Sequence, residues 1–376
     1  MSTVAATVSD RAKQEYQAQD RLFSLDLFRG ATMAAMIVVN NQDSEQAYWP
    51  LRHAPWNGCT PTDLIFPFFL FIVGVSLVMS FQVRLQRGQS RRALILHALR
   101  RSALLFVIGL ALNGMASLQP ATWRIPGVLQ RIAVVYGVSA AIALYSGTRT
   151  RVLLIAALTV GYWAIMRYVP VPGHGVPGVD IPLLHPDYNL AAYLDRKLML
   201  GHLWERTRDP EGILSTIPAI ATALCGVLAG EWLLSGGTKQ RKLYGMLAFG
   251  VAGVIAGDVW NHWFPINKNL WTSSYVLFTA GSALICLAGL YWISDIEEHR
   301  GPWVTPFLIL GTNAIAAYVL SQLIGGWLGW RGLCSFHRVA AGSPALASLL
   351  HSFVVLGLAF LPVWWMYRRK VFLKVG

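Results

Sequence analysis

The chain has 376 residues, of which 55% are hydrophobic and only 13% charged, about half the ~25% usual in a soluble domain. This composition excludes a disordered chain and a disulfide-stapled scaffold, and it leaves too little polar surface to cover a water-soluble enzyme. The excess of 31 Lys and Arg over 18 Asp and Glu would suggest nucleic acid in a soluble protein, but at a mean hydropathy of +0.48 it reads as basic loops at a membrane surface, with lipids and not nucleic acid as the partner.

Residues 1–21 (MSTVAATVSDRAKQEYQAQDR) are polar and read as a cytoplasmic tail. No cleavage pattern follows, so the first apolar run is expected to remain as an anchor. From residue 22 to 376 the chain reads as one transmembrane domain. Apolar runs long enough to cross a bilayer, ~20 residues each, fall near 25–41, 63–83, 95–117, 127–146, 152–168, 212–235, 243–263, 270–293, 304–328 and 344–367. They do not alternate apolar with polar, so they are helices rather than barrel strands. The expected fold is all-α, a polytopic helix bundle of about ten spans.

With the N-terminus in the cytoplasm, seventeen Lys and Arg fall in cytoplasmic segments and nine on the opposite side. This bias places both termini in the cytoplasm of an inner membrane. The longest non-spanning segment, 169–211, then lies outside; a loop of that length is usually functional, and YNLAAYLDRKLM within it suits a short amphipathic helix. There is no internal repeat of the kind from which many carriers are built.

Ionisable groups inside apolar runs need a partner or a task. Asp26 and Arg29 lie three apart on one helical face and can pair; Arg29 could instead meet an anionic ligand from the cytoplasm. Asn40 ends the first span as a helix cap or as an amide that orients a carbonyl or an imidazole. His53 follows in the turn-rich loop YWPLRHAPWNGCTPTDLIF, at a membrane boundary where a histidine can serve as a base near neutral pH. Asp63, ten residues on, is an N-terminal charge of the second span or the group that orients His53.

Arg91, Arg92, Arg100 and Arg101 surround the cytoplasmic end of the third span, as lipid anchors or as forks for a phosphate-rich cofactor. In RIPGVLQR, Gln130 and Arg131 lie one turn into a helix, with Asp63 and Glu211 as candidate partners for Arg131. On the outer side, Glu211 opens a helix in DPEGILST, and WFPINKNLWTSSY gathers Asn267, Lys268, Asn269 and Trp271. Such a mixture of donors, acceptors and rings suits a sugar. Asn313 reads as an interhelical hydrogen bond in the ninth span. Cys59 and Cys334 fall on the same side and could bridge. No CxxC or HExxH supports a metal site.

SLDLFRG, RHAPWNGCTPTDLIFPFFLFIVG, RIPGVLQR, DPEGILST and NKNLWTSSY, in this order from Leu22 onward, together resemble the heparan-α-glucosaminide N-acetyltransferase family and its bacterial relatives. The resemblance implies transfer of acetyl from cytoplasmic acetyl-CoA to a sugar amine across the membrane, and a homodimer. It implies that His53 is the family's histidine, as base or acyl carrier, and that Asn40 is its asparagine. The animal enzymes have a large N-terminal luminal region and a further first span that the resemblance from Leu22 onward does not include, and loop 169–211 is expected to differ as well. Arg29, Asp26, Arg100 and Arg101 become candidates for the coenzyme phosphates. Glu211, Asn267, Lys268, Asn269, Trp271, Gln130 and Arg131 become candidates for the acceptor. An amino-sugar permease and an envelope-polysaccharide O-acetyltransferase are the alternatives.

Overall fold

A computed structural model describes residues 22–43, 46–116, 122–340 and 342–373, with side chains omitted at 116 and 330–339. The N-terminal tail and the side chain of Cys334 lie outside the described residues. The described chain is helical, with isolated bridges in place of strands. In chain order the helices are α1 (Phe23–Asn40), α2 (Ile65–Gln86), α3 (Arg91–Ala116), α4 (Val128–Tyr145), α5 (Thr148–Tyr168), α6 (Leu190–Met199), α7 (Ile213–Leu234), α8 (Lys239–Asn261), α9 (Ser273–Tyr291), α10 (Thr305–Thr312), α11 (Ala314–Val339) and α12 (Pro344–Arg368).

Among the described residues, nine helical segments are long and apolar enough to cross a membrane, and a tenth if one bent pair counts as a single span. The protein is a polytopic helical membrane protein. Helices α2 and α7 form the centre. Their backbones touch because Gly74 and Gly226 face the carbonyls of Ala223 and Phe71, where a β-carbon would collide; small residues admit this approach where no water drives association. Helices α3, α5 and α8 lie outside, and their exposed side chains, Val107, Leu153 and Phe249 among them, are those a bilayer would cover.

The expected span 304–328 is corrected. It is two helices, Pro302–Thr312 and Ala314–Gly329, bent by 82°. Asn313 sits at the break outside helical geometry. Its carboxamide donates to the Val371 carbonyl at 3.1 Å and accepts from the Leu373 N–H at 2.9 Å. The buried amide therefore bonds the segment after α12, not a neighbouring helix.

The two ends of the bundle differ. At one end, α2–α3, α4–α5 and α7–α8 are joined by short turns. At the other, the loops knit into a cap. Trp56 donates its indole N–H to the Leu184 carbonyl at 2.7 Å, Gly58 N–H bonds Ile266 at 2.7 Å, and Ile125 N–H bonds His202 at 3.0 Å. The long segment 169–211 carries the expected short helix as α6, N-capped by Asn189 accepting from Ala192 at 2.9 Å.

Candidate active site

The first outer-loop motif folds around one carboxylate. Thr60 and Asp63 form a capping box at the short 3-10 turn Pro61–Leu64 that leads into α2, so the Asp63 side chain turns back under its own loop. One oxygen, Oδ2, accepts from the N–H groups of Ala54 and Thr60 and from the Thr60 hydroxyl, each at 3.0 Å. The other, Oδ1, lies 2.7 Å from His53 Nδ1. Asp63 is 1% exposed and the His53 side chain 44%, so a fixed, buried carboxylate holds an accessible imidazole. With Asp63 accepting, the proton belongs on Nδ1 and the lone pair on Nε2.

Lys268, remote in sequence, joins this pair. Its Nζ is 2.9 Å from Nδ1 and 3.2 Å from Nε2 of His53, and 3.8 Å from Asp63 Oδ1. Burial pushes its ammonium below the usual lysine range, against the opposing pull of Asp63 and Glu211. Burial, reinforced by Asp63, pushes the nearby Cys59 thiol up to about 12; as the thiolate is the nucleophile, Cys59 is not one at neutral pH. Cys59 is a free thiol here.

Lys268 is presented by a turn anchored from below. Trp271 is 1% exposed with its indole N–H on Thr222 at 3.0 Å, and its φ of 50° lies in the left-handed region. Such backbone persists only where packing over-determines it; here the ring sits edge-on against Phe66 and Tyr275. The Tyr275 hydroxyl donates to the Asp63 carbonyl at 2.5 Å.

Two cavities lie inside the bundle, and the larger reaches this region. The larger, about 1200 Å³, is lined at the cap end by Asn40, His53, Lys268, Arg124, Gln130 and Glu211. The smaller, about 300 Å³, is lined toward the short-turn end by Arg29, Arg84, His97 and Arg101. Both share Met36, Val128, Leu129 and Tyr318 as walls, so these four residues form a waist between them inside the bundle.

The expected residues divide accordingly. Asn40, His53, Lys268, Glu211 and Gln130 line the larger cavity, with Asp63 buried behind His53. Arg29 lines the smaller one, paired with Asp26 at 3.2 Å as its spacing predicts and also bonded to Ser76 at 2.9 Å. Arg101 lines it too, with its guanidinium 5.1 Å from the Tyr136 ring centre. Asp26 is buried behind Arg29, and Arg100 is exposed and outside both cavities.

Four placements are corrected. Trp271 is an internal anchor rather than a stacking surface. Asn267 is fully buried, bonding Trp56 and Asn57 at 3.0 and 3.1 Å. Asn269 lines only a small side pocket beside Asp195. Arg131 pairs with neither Asp63 nor Glu211; it is 2% exposed, donates to Ser215 and Gly212, and lies 5.0 Å over the Trp271 ring.

Glu211 is instead held by Arg124, which also makes a two-point pair with Asp209 at 2.6 and 2.8 Å and lies 4.9 Å over the Trp204 ring. Sequence reasoning missed Arg124 and Trp204 at the larger cavity and Arg84 and His97 at the smaller. Asp209 and Arg124 stand at the starts of two loop-side helices, in RDPEG and TWRIPG, and opposite charges with no other partner were the available signal. The described residues contain no cluster of three or more His, Cys, Asp or Glu that could hold a metal.

Comparison with known proteins agrees with the motifs. A family model described as heparan-alpha-glucosaminide N-acetyltransferase, catalytic, matches residues 21–257. The heparan-alpha-glucosaminide N-acetyltransferase of Homo sapiens is 32% identical over 412 aligned positions, covering 94% of this chain and 60% of the human protein. That of Mus musculus is 31% identical, covering 95% and 61%. The chain thus spans about three fifths of the length of these curated relatives. It belongs to the heparan-α-glucosaminide N-acetyltransferase family.

Proposed function

We propose that the protein transfers acetyl from acetyl-CoA, entering at the arginine-lined cavity, to the amine of a sugar in the larger cavity, across the inner membrane. The observation that carries this reading is the waist. Cationic side chains able to meet coenzyme phosphates open from one end, the His53–Asp63 pair opens from the other, and the two spaces share four wall residues. The charge bias along the chain supports a cytoplasmic arginine end.

In this scheme Arg29, Arg84 and Arg101 bind phosphate, leaving the thioester to reach the waist. An ammonium has no lone pair with which to attack, so a base must free it. His53 Nε2 takes that proton, and Asp63 stabilises the imidazolium through Nδ1–H. The Lys268 amine stands against the same ring. Asn40 and Glu211 offer further polar contacts to the sugar.

Sided proteoliposomes test the reading. Labelled acetyl-CoA is supplied at the arginine end and glucosamine at the cap end, and the product is acetylated sugar on the cap side. Unmodified glucosamine accumulating without acetyl-CoA would establish a permease instead, and label found on hydroxyls would establish O-transfer. Incubation with labelled acetyl-CoA and no acceptor separates direct transfer from an acetyl-His53 intermediate, since only the latter labels the protein.

A further inference from the structure

The waist is built from the first turn of α4. Val128 and Leu129 line both cavities, and Gln130 lines the larger one with His53. Helix α4 begins after Gly127 with no side-chain cap, so its first N–H groups keep their positive character available. Beside them, Gln130 is only 4% exposed and its carboxamide N–H2 has no hydrogen-bond partner. Leaving such a group buried and unbonded is costly, yet the fold keeps room for it. A β-carbon at Gly109 or at Gly127 would collide with the Gln130 carboxamide. Two glycines on different elements thus preserve the seat of a carboxamide whose oxygen packs against them and whose N–H2 no described residue bonds.

We propose that Gln130 and the first-turn N–H groups of α4 form the cradle for the thioester carbonyl oxygen of the acyl donor at the moment of transfer. This rests on the acetyl-CoA reading above. The substrate nitrogen bonds to the carbonyl carbon, and the π pair moves onto the oxygen, which the cradle stabilises. His53, having passed the ammonium's first proton to solvent, takes the second proton from that nitrogen. The C=O bond then re-forms, the C–S bond breaks, and the departing thiolate takes the proton from His53. Donors fixed before reaction are effective because they need no reorganisation as charge develops.

Gln130→Met keeps the volume and removes the donor. The expected result is a kcat about 100-fold lower with acetyl-CoA binding changed less than about threefold, and a ligand-free melting temperature equal to or above wild type, because a buried unbonded amide is gone. A kcat near wild type, or a clearly lower ligand-free melting temperature, overturns the proposal. So does equal weakening of CoA and acetyl-CoA binding with kcat unchanged, which would assign Gln130 to an amide of the pantetheine arm. If Gln130→Met does not fold, Gly109→Ala is the second variant. It favours the helix but displaces the carboxamide, and it should lower kcat while preserving CoA binding; unchanged kcat rejects the cradle. Wild-type protein that binds no acetyl-CoA fails the functional reading itself, a result distinct from any of these.

Discussion

Two charged clusters stand at the cap end, built from the same kinds of residue and left in opposite conditions. In Arg124–Asp209–Glu211, one guanidinium serves both carboxylates, Asp209 is fully buried, and Trp204 covers the other face of the fork. In His53–Asp63–Lys268, a single carboxylate oxygen faces two basic groups while its partner oxygen is fixed by three donors. The first cluster is saturated and clamps the 122–127 and 202–212 segments together. The second leaves a half-exposed imidazole at the cavity wall. The proposed chemistry uses the cluster with the accessible ring, not the one with more charges.

That contrast can be broken at several points. His53→Ala should lower transfer about 10³–10⁴-fold while leaving the melting temperature within a few degrees, read by product formation and a thermal scan. Retained turnover would move the base elsewhere. Asp63→Asn keeps the shape but not the preference for Nδ1–H, and a loss of about 100-fold or more in kcat is expected. In the saturated cluster the effect reverses in kind. Arg124→Leu strands the buried Asp209 carboxylate and should cost about 3–5 kcal/mol of stability, and the double variant Arg124→Leu/Asp209→Leu should recover part of it. A single variant with normal stability and reduced turnover would make this cluster catalytic after all.

The smallest effect concerns Asp195 in α6, next to the start of α7. Burial, with a lesser push from Asp209, raises its carboxyl to about 6, although it accepts the Ile213 N–H at 3.0 Å. Its folded value lies above the ordinary 3.8, so the fold favours the protonated form. Its contribution is complete below pH 3.8 and lost as pH rises through about 6. Asp195→Asn should therefore melt higher than wild type at pH 7.5, by up to about 3 kcal/mol, with the difference vanishing toward pH 4. A constant difference across that range would contradict the assignment.

Much of the fold was legible because a bilayer imposes a length and a composition on each crossing. The ninth span was misread for the same reason. Its apolar run is continuous, and the bend depends on Asn313 bonding backbone some sixty residues later, which no local pattern carries. The His53–Asp63 pair was legible from one short loop, where a helix-opening carboxylate lay within reach of a histidine. Lys268 was singled out as polar, but its place against His53 is a contact across 215 positions. Trp271 and Asn267 misled because residues that suit a sugar equally suit a tight buried turn, and only burial tells them apart.

The clasp between Asn313 and residues 371–373 has a further meaning for assembly. Leu373 is part of the wall of the arginine-lined cavity, yet it follows every described spanning helix in chain order. During synthesis the bundle can insert helix by helix, but this compartment cannot be completed until the segment beyond α12 folds back onto the break between α10 and α11. A chain cut before residue 371 would thus carry an assembled cap and an unfinished arginine-lined cavity.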